Sequence, residues 1–286
     1  MKKAVVFIKG GFGNQLFQFS FANYLQENNY KVFLDTSLLF MDIENTKRKL
    51  VLPISQFNFK KRHYLSSKMF NVFLKLNYSK FLNISIFKKF LSKYFYTKEK
   101  DLEKENNSKI IFFNGYWKDI KYADYSKNFI LEALSKSQVI EKSLNFKKSD
   151  NKIAIHVRRK DFIPLGWELS LNYYVNSIEH FKNNLENPEF EVFTDDLLWV
   201  KSNEIFNSVN NIFPQISNDD DIDETIETFS KMLNYKHFLC SNSTFSFWAA
   251  FINSQEDSII TVPSPWIKNH SHPILKLENW IEINST

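Results

Sequence analysis

Short apolar runs and amphipathic stretches take turns along most of this chain. Ala4-Val5-Val6-Phe7-Ile8 reads as a strand, and Leu16, Phe17, Phe19, Ala22 and Leu25 recur behind it at helical spacing. Residues 31–35 and 110–114 predict two further strands, and 122–134 a helix. Between them, Phe70, Phe73, Leu74, Phe87, Phe90 and Leu91 belong to a run with steps of three and four, the pattern of amphipathic helix broken near Asn77 and Asn83. Residues 143–152 are polar and aperiodic, which places the expected domain boundary there: 1–150 and 151–286. The second half alternates more cleanly. Strands are expected at 153–158, 190–194, 212–213, 237–240 and 259–262, with helices at 172–185, 197–203, 222–234 and 244–252. Such alternation predicts an α/β fold with parallel sheet and right-handed crossovers.

Composition narrows the class. With 286 residues, 43% apolar and 17% aromatic, the chain is long enough for two domains with ample core. The single cysteine, Cys240, excludes an internal disulfide and a cysteine-based zinc site, and fits a reducing compartment. The apolar run at the N-terminus is too short for a signal peptide, and no stretch approaches the roughly 20 apolar residues of a membrane span. A cytoplasmic protein is expected. The net charge of +5 is unevenly distributed: residues 60–100 hold eleven Lys and Arg against Glu99 alone, so the rest of the chain is acidic. Nothing there resembles a nucleic-acid reading module. A basic amphipathic segment of this kind suits either a solvated face or peripheral contact with an anionic membrane.

Candidate chemistry gathers at three places. Gly10-Gly11-Phe12-Gly13-Asn14-Gln15 follows the first strand and holds three of the five glycines. It lacks the third glycine of a dinucleotide fingerprint and the G-K-[ST] of a P-loop. Its amides, Asn14 and Gln15, suit either backbone capping or sugar hydroxyls. The strand at 153–158 runs into His156-Val157-Arg158-Arg159-Lys160-Asp161, and strand alternation puts His156 and Arg158 on one face, Arg159 and Asp161 on the other. Arg158 is thus expected to meet an anionic ligand while Arg159 pairs with Asp161. Thr194-Asp195-Asp196 reads most plainly as a helix N-cap. Ser241-Asn242-Ser243-Thr244-Phe245-Ser246 stands before an apolar helix, where hydroxyls and free N–H groups favour an anion.

Together these stretches resemble the bacterial α-1,2-fucosyltransferases. Gly10 to Phe19 is similar to their G-G-x-G-N-Q-M-F-Q-Y opening. His156 to Asp161 is similar to the H-x-R-R-x-D box shared with α-1,6- and protein O-fucosyltransferases, and Asn242 to Ala250 to N-S-[ST]-[FY]-S-W-W-[GA]-A. The resemblance implies a GT-B-like fold, with two Rossmann-type domains facing across a cleft. It also implies an inverting, metal-independent transfer from GDP-β-L-fucose to the 2-hydroxyl of a galactose-like residue. The first domain would serve the acceptor, a glycan that is lipid-linked in one version of this reading, and the second the donor, in bacterial surface polysaccharide (O-antigen) synthesis. Arg158 would hold the diphosphate, with Ser243, Thr244 and Asn242 supporting it and His156 near the guanosine. Asn14 and Gly11 would reach the donor from the first domain. Asp161 is a candidate base, or an orienting group if paired.

The chain departs from the family pattern at several positions. Lys160 replaces Gly, Phe162 replaces Tyr and Phe247 replaces the first Trp. The acidic residue that family members carry upstream of the phosphate hydroxyls is Thr228 here, which leaves Glu227 or Glu224 to read guanine. Two rivals stand beside this expectation. One is a manganese-dependent transferase using the D-x-D within 219–223. The other is a non-catalytic glycan-binding protein.

Overall fold

The computed structural model describes residues 1–40, 48–62, 95–96, 102, 108–215 and 221–286. The amphipathic run over 70–91, and with it most of the basic segment to which membrane contact was assigned, lies outside the described residues, as do Asp219 and Asp220. Contacts divide the chain into two compact units, Met1–Ile130 and Leu131–Thr286.

In the first unit, β1 (Lys2–Phe7) leads into α1 (Phe12–Glu27), followed by β2 (Tyr30–Asp35), β3 (Lys60–Lys61), β4 (Phe95–Tyr96), β5 (Ile110–Phe113) and α2 (Ile120–Tyr125). The strands form one parallel sheet in the order β3-β2-β1-β5-β4. Two-residue strands such as β3 and β4 are too short for an alternation to register in sequence. Helix α1 starts four residues earlier than its apolar spacing suggests and is buried nearly all round. Its polar side chains must therefore find partners inside the protein. Gln18 accepts from the Lys9 N–H (2.9 Å) and donates to Gly115 O (3.2 Å); Ser20 Oγ donates to Leu16 O (2.9 Å). The helix expected over 122–134 is two helices, α2 and α3 (Lys127–Ser135), parted at the buried Ser126. That hydroxyl donates to Ser20 O and accepts from Asn23 Nδ2, so it ties the corner to α1.

The second unit contains α4 (Gln138–Leu144), β6 (Lys152–Val157), α5 (Leu171–Asn184), β7 (Glu189–Thr194), α6 (Leu197–Ser202) and β8 (Asn211–Pro214). After them come α7 (Ile222–Met232), β9 (His237–Leu239), α8 (Thr244–Asn253), β10 (Ile260–Ser264) and β11 (Ile281–Asn284). Within the stretch 143–152, Ser143 Oγ lies 2.7 Å from Ser230 Oγ of α7, and α4 packs on α7. All strands are parallel, in the order β11-β10-β9-β6-β7-β8. Chain order thus runs outward from β6 to β8, then restarts at β9 on the other side of β6. Parallel sheets of this kind take ligands beyond the carboxyl ends of the strands, at the point where the order reverses. That point is the β6/β9 boundary. β6 is buried on both faces from Ile153 to Val157, as expected of a central parallel strand, and packs with Tyr173, Tyr174, Val192 and Leu239.

Candidate active site

The reversal point of the second sheet is where the charged string lies. β6 ends at Val157, and the chain turns at once: the N–H groups of Phe162 and Ile163 both donate to Arg159 O. Face alternation holds only inside a strand, so the expected Arg159–Asp161 pair does not form. In the turn, positions three apart meet. Arg158 Nη2 donates to Asp161 Oδ2 (2.9 Å) while its Nε stands 2.9 Å from Asp161 Oδ1, a two-point grip on one carboxylate. The same Nε is 3.2 Å from Asp195 Oδ2. Arg159 turns the other way. Its Nε donates to Asp196 Oδ2 (3.2 Å), and its guanidinium lies 4.2 Å from the centre of the Trp199 ring.

Asp195 is the residue that sequence reading passed over. Thr194-Asp195-Asp196 does contain an N-cap, since Asp196 Oδ1 accepts from Trp199 N. Asp195, one position earlier and just past the end of β7, points inward instead, its side chain 1% exposed. Its Oδ1 accepts from the Arg159 N–H (2.8 Å), so one carboxylate holds both the backbone and the side chain of the arginine turn. Burial pushes its carboxyl up from the ordinary value, while Arg158 and the N–H groups of Arg159 and Lys160 pull it back. Two consecutive acids, where an N-cap needs one, were the available signal. One side chain suffices to cap a helix, which leaves the other acid for a different partner.

From β9 comes the second half of the edge. His156 Nδ1 lies 2.7 Å from Ser241 Oγ, which ties the ends of β6 and β9 together across the reversal point. Burial, with Arg158 adding to it, lowers the imidazole to about 3, so the ring is neutral at physiological pH. Tyr173 Oη donates to the Cys240 carbonyl and Asn242 Nδ2 to the Trp167 carbonyl (2.7 Å), which fixes the loop on either side of Ser241. Ser243 is the N-cap of α8, accepting from Phe245 N (3.3 Å), and Thr244 is the helix's first residue. His156, Arg158, Asp161, Asn242, Ser243 and Thr244 are thus brought to one sheet edge. Glu227 is not part of that network. It is exposed on α7, paired with Lys231 at 3.7 Å, and lies two positions from Phe229, whose ring packs inward on Phe245.

Asn14 and Gly11 belong to the first unit, at the reversal point between β1 and β5. Gly11 is the N-cap position of α1, with no side-chain cap. Gly10 has φ +76°, and a Cβ there would come within 2.8 Å of Asn14 Nδ2 and 3.0 Å of the Tyr116 ring, so only glycine fits. The two amides divide their work. Gln15, fully buried, donates to the carbonyls of Gly10 and Lys49 and accepts from Val51 N, which makes it a backbone clamp; Asn14 lies half-buried beside the glycine turn. Among the described residues, no three His, Cys, Asp or Glu side chains group so as to hold a metal ion, and no helix is long and apolar enough to cross a membrane.

A Rossmann-type sheet that brings a gripped arginine and a hydroxyl-capped helix to its reversal point has the parts of a nucleotide-sugar glycosyltransferase. The profile described as Glycosyl transferase family 11 matches residues 2–284, and the chain belongs to that family. Two similar proteins are both from Escherichia coli. The O-antigen biosynthesis glycosyltransferase WbnK is 28% identical, over 96% of this chain and 99% of that protein. An alpha-1,2-colitosyltransferase is 26% identical, over 94% and 93%. Among solved structures, fucosyltransferase NodZ from Bradyrhizobium matches with a TM-score of 0.48 and 14% identity, over 87% of this chain and 91% of that one.

Proposed function

We propose that the chain transfers L-fucose, or colitose as in its relative's name, from a GDP-linked donor to the 2-hydroxyl of a galactose-like residue. Transfer proceeds with inversion and without a metal, in surface polysaccharide synthesis. The observation that carries this reading is the Arg158 guanidinium, held by Asp161 and Asp195 at the sheet edge from which α8 sets out. Departure of a nucleoside diphosphate needs positive charge on its oxygens, which an arginine and a helix N-terminus supply without a cation. The reading is GT-B-like, with the donor on the second unit and the acceptor on the first.

Within it, Arg158, Ser243, Thr244 and Asn242 serve the diphosphate, neutral His156 borders the nucleoside, and Asn14 and Gly11 serve the sugar. Bound at two points to Arg158, Asp161 orients that guanidinium. An oxocarbenium-like transition state draws the acceptor hydroxyl in with little help from a base. Guanine recognition stays with Glu227 or Glu224 in this reading, and Glu227 would have to leave Lys231 to take part.

Incubation with a panel of sugar nucleotides and β-galactoside acceptors, with and without EDTA, tests the reading. Transfer from GDP-fucose or GDP-colitose that survives chelation, giving an α-1,2 product, is the expected result. Preference for a UDP or CMP donor overturns the donor assignment. Loss of activity with EDTA and recovery with manganese overturns the metal-free mechanism. Binding of galactosides with no transfer from any donor leaves the non-catalytic alternative.

A further inference from the structure

The first unit gathers two ammonium groups around one aromatic ring. They lie at the carboxyl edge of its sheet, where β1 and β5 adjoin. Tyr116 follows β5, and its ring faces two ammonium groups: Lys9 Nζ is 4.7 Å from the ring centre and Lys118 Nζ is 5.4 Å. The ring also borders the glycine turn, 3.0 Å from where a Gly10 Cβ would stand. This placement is firmly built. Between Tyr116 and Lys118, Trp117 is buried at φ +53°, a conformation that bulky residues rarely adopt, and stacks on Phe21 at 4.2 Å. Gln18 donates to the Gly115 carbonyl one residue upstream.

Lys118 is half-buried, and among the described residues no carboxylate lies within ion-pair reach of it. Burial alone lowers its ammonium from the ordinary value, with no opposing charge to raise it. The adjacent Asp119 is turned away, capping α2 and pairing with Lys121. Asp35, at the end of the neighbouring β2, uses Oδ1 to accept from Ser37 N. A partly desolvated ammonium without a counter-charge is costly unless a ligand provides one.

We infer that Lys118, with Lys9 across the Tyr116 ring, binds an anionic group carried by the acceptor glycan, a carboxylate or a phosphate. The inference rests on the proposed glycosyl transfer, which assigns the donor diphosphate to the second unit and the acceptor to the first. The chain then selects acidic glycans, and a plain galactoside is a poor substrate for it.

Three acceptors test this: a neutral β-galactosyl disaccharide, the same disaccharide with a uronic acid beside the galactose, and the same with a phosphate monoester there. Wild type is expected to favour a charged acceptor in kcat/KM by about tenfold, the scale of one charge-assisted hydrogen bond. The two charged arms show which group is taken. Lys118→Met should erase the preference through acceptor KM, Lys118→Arg should keep it, and Lys9→Met should reduce it. Equal use of neutral and charged acceptors by wild type overturns the inference, as does a Lys118→Met effect on donor KM alone. If no donor supports transfer, the proposed function fails by itself. Calorimetry of the charged disaccharides then decides the inference: binding that Lys118→Met weakens supports it, and no binding to wild type overturns it.

Discussion

The two sheet edges that carry the candidate residues are built from different materials. The second unit's edge is ionic: Arg158 lies between Asp161 and Asp195, Arg159 lies on Asp196 and Trp199, and Ser243 caps α8. The glycine turn on the first unit's edge is built from backbone and amides, with Lys9 and Lys118 set beside it around Tyr116: a glycine with positive φ, an α1 N-terminus without a side-chain cap, and Gln15 clamping a neighbouring loop. An ionic edge can hold charge that develops on a leaving group. An amide edge can position hydroxyls at little electrostatic cost. The contrast predicts that mutations on the second edge strike the chemical step, and those on the first strike shape and stability.

Arg158→Ala tests this contrast most severely. Removing the guanidinium should lower kcat by about 10²–10³-fold, as loss of a transition-state donor does. The structure adds a stability cost of about 3 kcal/mol, because Asp195 is left buried and unpaired. Arg158→Lys should recover little activity, since an ammonium cannot reproduce the two-point grip. Steady-state kinetics with thermal unfolding separates the two losses, and an unchanged Tm would show that Asp195 finds other partners.

Next in size is the effect of acid. His156 is held near 3 in the folded protein against 6.5 when unfolded. Between those values the unfolded state binds more protons, so stability is full above about pH 6.5 and falls as pH drops, by roughly 3–5 kcal/mol once pH 3 is reached. His156→Asn should flatten Tm against pH between 6.5 and 5, above the range where most carboxylates titrate. An unaltered slope would assign the acid sensitivity elsewhere.

On the amide edge, Gln15→Ala removes three hydrogen bonds from a fully buried side chain. It should cost about 2–3 kcal/mol of stability by chemical denaturation, with a smaller proportional change in kcat than Arg158→Ala. The smallest effect belongs to Ser243→Ala. Loss of an N-cap costs about 1 kcal/mol, and on an ionic edge it should also raise donor KM severalfold. If Gln15→Ala proved the more damaging to kcat, the division between the edges would fail.

The sequence carried much of this without a structure. Apolar runs bounded by polar turn residues located nearly every element of the second unit. The glycine turn, the His156–Asp161 string and the Ser241–Ser246 run were legible as residue types placed at strand ends, and their joint resemblance pointed to the family that the chain belongs to. The short strands β3, β4 and β11 were not legible, nor was α4, which lies at the edge of a polar stretch.

Partnership was decided only in three dimensions. Alternation along a strand assigned Asp161 to Arg159, but the strand ends at Val157 and the turn gives Asp161 to Arg158. Asp195 reads in sequence as part of a cap, and it becomes the buried anchor of the arginine turn only because β7 lies beside β6. His156 and Ser241 are 85 positions apart, and only the reversal of strand order, with β9 returning to the free side of β6, sets them 2.7 Å from one another. Local periodicity specifies which way a side chain leaves its own element. Which group it then meets depends on strand order and on where each strand stops, and a single sequence records neither.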